Sequence, residues 1–293
     1  MHTTQVSLPE INAAAERIRP YVLATPLLSG DALGSDGLWL KAENLQRTGS
    51  FKVRGAFNAV IQLGDKHRAH GVITLSAGNF GQALAFAARR FGIPCVVVIR
   101  EDAQKTKLEA IQRFGAEIVL VPVGEWQQRL EEEQARRGLH LVHPFDDPAV
   151  VNGQGTVGLE ILAALPAVRT VVVPIGGGGL IAGVAVAIKN SRPGVRIVGV
   201  EPEGANAVSR SLAAGHPVAL ERIDTVAVLE PDLFRRECDA ARDDEADFSL
   251  AEQCKASDGV RARVVGVNNV GAPLARDRPQ LPRGANVPFS AQR

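Results

Sequence analysis

The stretch GVITLSAGNFGQALAFAARRFGIPCVVVI (residues 71–99) decides the fold class. Its first part, GVITLS (71–76), is an apolar run of strand length. In the segment that follows, Phe80, Ala83, Leu84, Ala87 and Phe91 recur on one helical face. PCVVVI (94–99), bounded by Pro94, is a second strand. The rhythm continues outward. AQKTKLEAIQRFG (103–115) is a helix stopped by Gly115, AEIVLVPV a strand, and EWQQRLEEEQARRG a helix ending at Gly138. TVVVPI (170–175), LIAGVAVAIKN and VRIVGVE repeat the order. Unbroken Val/Ile runs mark strands covered on both faces. The fold class is therefore α/β, with mostly parallel sheets flanked by helices. The rhythm sets residues 43–146 apart as a smaller inserted domain, with 1–42 and 147–225 forming a larger one. Beyond 225 the periodicity fades. Residues 226–293 are charge-dense, then rich in Arg, Pro and Gly, and read as an atypical, poorly packed or disordered tail. VRARVVGV (260–267) is its one short strand.

The 293 residues carry a net charge of +1, with 45% hydrophobic and 22% charged residues, the mix of a soluble globular protein without a field for nucleic acid or membrane. Aromatics at 4% leave little for a base-stacking platform. No apolar run approaches the roughly 18 residues of a spanning helix, and the N-terminus lacks a signal-peptide pattern, so a cytoplasmic location is expected. The three cysteines, Cys95, Cys238 and Cys254, show neither metal spacing nor a disulfide framework, and Cys95 in PCVVVI reads as buried packing.

Three segments carry chemistry. In TGSFKVRGA (48–56), Lys52 opens a helix whose Ala56, Val60 and Leu63 share a face, with Ser50 as an N-cap candidate. A cation in a first helical turn opposes the macrodipole, so the site needs a negative partner or a covalent bond, or else Lys52 is a solvated surface residue. PIGGGGLIAG (174–183) joins a strand to a helix. Its glycines either converge N–H groups on a phosphate at a helix N-terminus or make a tight turn where helix meets sheet. Gly177, Gly179 and Ala182, with Glu201 about 20 residues on, also fit a dinucleotide fingerprint, which keeps a nicotinamide-dependent oxidoreductase as an alternative. In LSAGNFGQA (75–83), Asn79 is either an N-cap or an amide aimed at a ligand, beside N–H groups able to hold a carboxylate.

Taken in order, TPLL (25–28), LKAENLQRTGSFKVRGA (40–56), SAGNFGQALA (76–85), HPFDDPAVVNGQGTVGLEI (143–161), GGGGLIAG (176–183) and GVEP (199–202) give the chain a resemblance over residues 5–225. It resembles the fold-type II pyridoxal-phosphate enzymes, in the threonine/serine dehydratase group, and is similar to serine racemases. The resemblance implies two mostly parallel open sheets, a larger cofactor-binding domain and a smaller one carrying the carboxylate loop. Lys52 would hold pyridoxal 5'-phosphate as a Schiff base and act as base at Cα. Phe51 would pack beside the cofactor and Asn79 would hydrogen-bond its phenolic oxygen. Gly176, Gly177, Gly178, Gly179 and Leu180 would bind its phosphate. Ser76, Ala77, Gly78, Asn79, Phe80 and Gly81 would receive the substrate carboxylate. The implied reaction is α,β-elimination from a β-hydroxy amino acid such as L-threonine or L-serine, giving a 2-oxo acid and ammonia, in a homo-oligomer, a dimer. Racemases of the family carry a second serine where this chain has Ala77, and Phe80 stands where histidine is common.

The resemblance implies a C-terminal Ser-Gly-Gly-Asn-like turn facing the pyridine nitrogen. VVGVNN (264–269) is only an echo of it, so 226–293 reads as a frame-shifted or degenerated segment, and a catalytically impaired cofactor-binding remnant is the second alternative. Some relatives bind a cation through a Glu and an Asp six residues later. Here Glu201 is followed by Ala207, so no metal is expected. Asp146, Asp147 and Glu131 to Glu133 read as solvated or capping, and His143 as structural.

Overall fold

The computed structural model describes residues 5–31, 37–76, 78–103, 105–122, 125–220, 253–255 and 261–266. Helix α1 (Leu8–Ile18) is followed by an antiparallel hairpin of β1 (Leu27–Ser29) and β2 (Trp39–Lys41), then α2 (Lys52–Ile61) and α3 (Asp65–His70). Strands and helices then alternate: β3 (Val72–Leu75), α4 (Asn79–Arg90), β4 (Cys95–Arg100), α5 (Lys105–Gln112), β5 (Glu117–Val121), α6 (Trp126–Arg137) and β6 (His140–Leu141). Helix α7 (Pro148–Ala164) leads to β7 (Thr170–Pro174), α8 (Gly179–Ser191), β8 (Arg196–Pro202) and α9 (Ala207–Ala214), with β9 (Gln253–Lys255) and β10 (Arg261–Gly266) beyond.

One sheet has the order β5-β4-β3-β6 and is parallel throughout. Its inner strands β3 and β4 are buried on both faces, which is why their sequences do not alternate. At its edge, β5 turns Leu120 and Glu117 outward, and Glu117 accepts two bonds of 2.6 Å from Arg137. The second sheet has the order β7-β8-β10-β9 and is mixed. β7 and β8 are parallel, but β10 runs against β8, from Ala262 opposite Pro202 to Gly266 opposite Val198. The short strand expected within 260–267 is thus an added antiparallel member of this sheet. The rest of the supposed tail, apart from β9 and β10, lies outside the described residues, as does the end of the VVGVNN echo beyond Gly266.

Pro148 in the first turn of α7 is preceded by Asp147, whose carboxylate accepts the Ala149 N–H at 2.8 Å, so Asp147 is a cap as expected. Glu133 departs from expectation. It is 1% exposed and lies under Arg129, Arg136 and Arg137, which compensate its charge. Cys95 is buried as expected, and burial pushes its thiol up to about 12.

Helix α7 is the axis of the molecule, and its neighbours approach it through glycine. A Cβ at Gly183 of α8 would lie 2.4 Å from the Val151 carbonyl oxygen, and one at Gly155 2.8 Å from that of Gly183. On the other side, a Cβ at Gly55 of α2 would meet Val150 at 2.7 Å, and one at Gly153 the Arg54 carbonyl oxygen at 2.6 Å. Since the clashing atoms are backbone, a Gly183→Ala protein must shift a helix. We expect it to lose about 1–3 kcal/mol in urea unfolding.

Candidate active site

Lys52 is the first residue of α2, and it is not capped as the sequence implied. The N-cap position is Phe51, already in the right-handed helical region, while the Ser50 hydroxyl is buried without a hydrogen-bond partner. The Lys52 Nζ donates to the Pro144 carbonyl at 3.2 Å and lies 5.1 Å from the Phe51 ring centroid and 5.8 Å from that of Phe80. Among the described residues no carboxylate pairs with it. Desolvation lowers its pKa from 10.5 to about 8, so the amine form is within reach near neutrality.

The loop before α4 is built on Ser76 and Gly81. Ser76 is buried and its Oγ accepts the Gly78 N–H at 3.2 Å. A Cβ at Gly81 would lie 2.3 Å from the Ser76 carbonyl oxygen, so the helix folds back directly over the loop. Gly78 is the N-cap and Asn79 the first helical residue, one position later than a capping role requires. Its amide is exposed. Phe80 is buried beside Lys52. Ala77 lies outside the described residues.

The four-glycine loop runs from β7 into α8. Gly176 and Gly177 are exposed. Gly178 takes φ +84, a left-handed conformation that admits glycine readily, and Gly179 opens the helix with no side-chain cap. Phe145 backs the loop, for a Cβ at Gly177 would lie 2.3 Å from its ring. Around Gly176 and Gly178 there is open space. Uncapped N–H groups at the start of a 13-residue helix, with room in front, suit a phosphate. Leu180 and Phe51 pack against the same apolar cluster of β7, α8 and β8.

Sequence reading missed the piece that joins these parts, the turn His143–Phe145. The Pro144 carbonyl faces Lys52, and Phe145 lies under Gly177 and Gly179. His143 Nδ1 accepts the Asp146 N–H at 2.9 Å, which makes His143 structural as expected and puts its neutral-form proton on Nε2.

Also missed is a buried charge network behind Lys52. Arg54, fully buried, donates to Glu43 at 2.7 and 2.8 Å and to Glu160 at 2.6 and 2.8 Å, and Lys41 reaches Glu160 at 2.6 Å. Burial opposes the Arg54 charge, but the two carboxylates outweigh it and hold its pKa above the ordinary value.

Glu201 corrects the nicotinamide alternative. It is 1% exposed and accepts the Ser209 N–H at 2.8 Å, the Val208 N–H at 3.2 Å and the Ser209 hydroxyl. A carboxylate committed to the first turn of α9 cannot serve a ribose in the same place. Among the described residues no group of three or more His, Cys, Asp or Glu is placed to hold a metal ion, and no helix is long and apolar enough to cross a membrane.

A family model described as "Pyridoxal-phosphate dependent enzyme" matches residues 18–287. The chain belongs to the pyridoxal-phosphate dependent enzymes. The family's span runs past residue 225, where the sequence resemblance fades. Within the family, a putative threonine dehydratase of Sinorhizobium fredii is 41% identical over 229 residues, 76% of this chain and 69% of that protein. An L-threonine ammonia-lyase of Geobacter sulfurreducens is 44% identical over 231 residues, 75% of this chain but 57% of that protein. Among solved structures, maize serine racemase superposes with a TM-score of 0.72 at 38% identity, covering 76% of this chain and 69% of that one. The expected family and cofactor are thus shown, and the group is that of threonine dehydratases and serine racemases.

Proposed function

We propose that this chain catalyses α,β-elimination from a β-hydroxy amino acid, L-threonine or L-serine, to a 2-oxo acid and ammonia. The observation that carries the reading is a desolvated Lys52 amine, free of any carboxylate among the described residues, tied through the Pro144–Phe145 turn to an uncapped glycine loop. Pyridoxal phosphate, when bound, supplies the electron sink for charge developing at the substrate Cα. In this reading Gly176 to Gly179 and Leu180 hold its phosphate with backbone N–H groups. Phe51 packs beside it and Asn79 donates to its phenolic oxygen. Ser76 to Gly81 receive the substrate carboxylate at the start of α4. Lys52 anchors the cofactor and, once displaced by substrate, takes the Cα proton. Position 77 carries alanine, so that loop has no second hydroxyl to serve as a base on the opposite face, which favours elimination over racemisation. The reading also takes 43–146 as the smaller domain and a homodimer as the working form.

The test is the visible absorbance of the purified chain with added pyridoxal phosphate, before and after L-threonine or L-serine, with 2-oxo acid and D-serine both assayed. A band that needs Lys52, shifts with substrate and yields 2-oxo acid supports elimination. D-serine without oxo acid overturns it in favour of a racemase, and a band without turnover marks an impaired remnant.

The depressed Lys52 pKa makes a further prediction. In the cofactor-free protein, attachment of pyridoxal phosphate to Lys52 will rise with pH through a midpoint near pH 8. At pH 7 Lys52 will react about 10²-fold faster than an exposed lysine, because a drop from 10.5 to about 8 raises its amine fraction by that order. A midpoint near 10.5 contradicts the burial argument.

A further inference from the structure

Gln154, on α7, is 0% exposed, and its Oε1 is buried with no hydrogen-bond partner. Its Nε2 points at the Pro144 carbonyl at 3.5 Å, the outer limit of a hydrogen bond. The same carbonyl accepts the Lys52 Nζ at 3.2 Å. Two donors from different helices therefore share one buried oxygen, and the tighter one belongs to the lysine that the functional reading makes covalent. Gly179 leaves room for the amide, since a Cβ there would lie 2.9 Å from Gln154 Oε1.

We propose that Gln154 is a positioning residue that takes over the Pro144 carbonyl when Lys52 leaves it. The proposal rests on Lys52 being the point of cofactor attachment. When the Lys52 amine condenses with an aldehyde, a carbon–nitrogen bond forms, the aldehyde oxygen leaves as water, and the nitrogen keeps at most one N–H in place of three. That N–H goes with the ligand, and the buried Pro144 oxygen loses its donor. Such an oxygen is costly to leave unpaired. Gln154 needs only to close its long contact to keep it paired. The Pro144–Phe145 turn then stays in place, with Phe145 under Gly177.

The experiment is Gln154→Met in the full chain, a change of similar size that removes the donor. Three probes separate the roles: pyridoxal phosphate, pyridoxal without the phosphate, and inorganic phosphate. Both aldehydes attach to Lys52 and uncover Pro144, so both should bind the variant about tenfold more weakly, the order expected for one unpaired buried oxygen. Inorganic phosphate leaves Lys52 on Pro144, so its binding, read as a rise in melting temperature, should stay within about twofold of wild type. Unchanged aldehyde affinities overturn the proposal. So does an equal loss of phosphate binding, which assigns Gln154 to the glycine loop instead. If the Met variant does not fold, Gln154→Leu removes the amide as well and offers no donor at any pH. The same aldehyde loss is expected, and wild-type affinity overturns the proposal. If wild type and Lys52→Ala take up pyridoxal phosphate equally, the assignment of Lys52 itself falls, and this inference with it.

Discussion

Lys52→Ala will lose 2-oxo acid formation by at least about 10⁴-fold, the upper range of what one general base contributes, with the covalent anchor lost as well. The visible band formed with pyridoxal phosphate will be absent. Lys52→Arg will be equally inactive, because a guanidinium holds its proton at every accessible pH. A Lys52→Ala protein that keeps substantial turnover would reject the whole reading. The same residue has an opposite effect on stability. Its pKa falls from 10.5 unfolded to about 8 folded, so the unfolded chain binds the extra proton between those values. Folding stability of the cofactor-free protein is then lowest below pH 8 on this account and rises as pH climbs toward 10.5. Lys52→Met will remove that dependence and gain up to about 3 kcal/mol at pH 7, read from urea unfolding against wild type. Catalysis and stability pull against each other at this position.

Arg54→Ala will have the largest destabilising effect of any single change outside the site itself. The guanidinium is wholly buried and pairs directly with both Glu43, in the turn after β2, and Glu160 on α7. Its removal leaves two carboxylates facing each other with Lys41 alone to compensate them. The expected loss is about 3–5 kcal/mol by urea unfolding, toward the lower end because Glu160 is 27% exposed and water can reach it. In a Lys41→Met background, replacing Arg54, Glu43 and Glu160 together by Met, Gln and Gln should recover much of that loss, since Lys41 would otherwise lose its Glu160 partner and no charge of the network is then left unpaired. A loss in the triple variant as large as in Arg54→Ala would show that packing, not charge pairing, is what Arg54 supplies.

The strand–helix alternation from Val72 to Pro202 was legible because it is written in local periodicity, and the strands buried on both faces announce themselves as unbroken Val and Ile. Helix α7 was not recognisable as a helix. Val150 to Gly158 are all buried, so no polar face alternates with an apolar one, and its glycines argue against a helix while serving its contacts. The Arg54 network was invisible because its partners are 11 and 106 residues away, and charges at such separations look solvated. Ser50 and Asn79 misled by one position each. Both helices begin where the backbone turns, at Phe51 and Gly78, and not where a capping side chain is available. Glu201 matched a fingerprint by spacing alone, and only the position of α9 shows where its carboxylate is spent. The loop glycines and Lys52 could be picked out as motifs, but Pro144, Phe145 and Gln154 carry no chemistry of their own and acquire meaning only by proximity.

The glycine contacts along α7 have a metrical consequence. Lys52 begins one helix and the four-glycine loop leads into another, and both helices touch α7 main chain to main chain, α2 at Gly153 and α8 at Gly155. The distance from the Lys52 Cα to the loop is therefore a backbone dimension, indifferent to rotamers and to most side-chain substitution. A ligand that must react at one end and rest a fixed anion at the other meets a gauge of constant length. Adding a single methyl group at either crossing would change that gauge before it changed any group that touches the ligand.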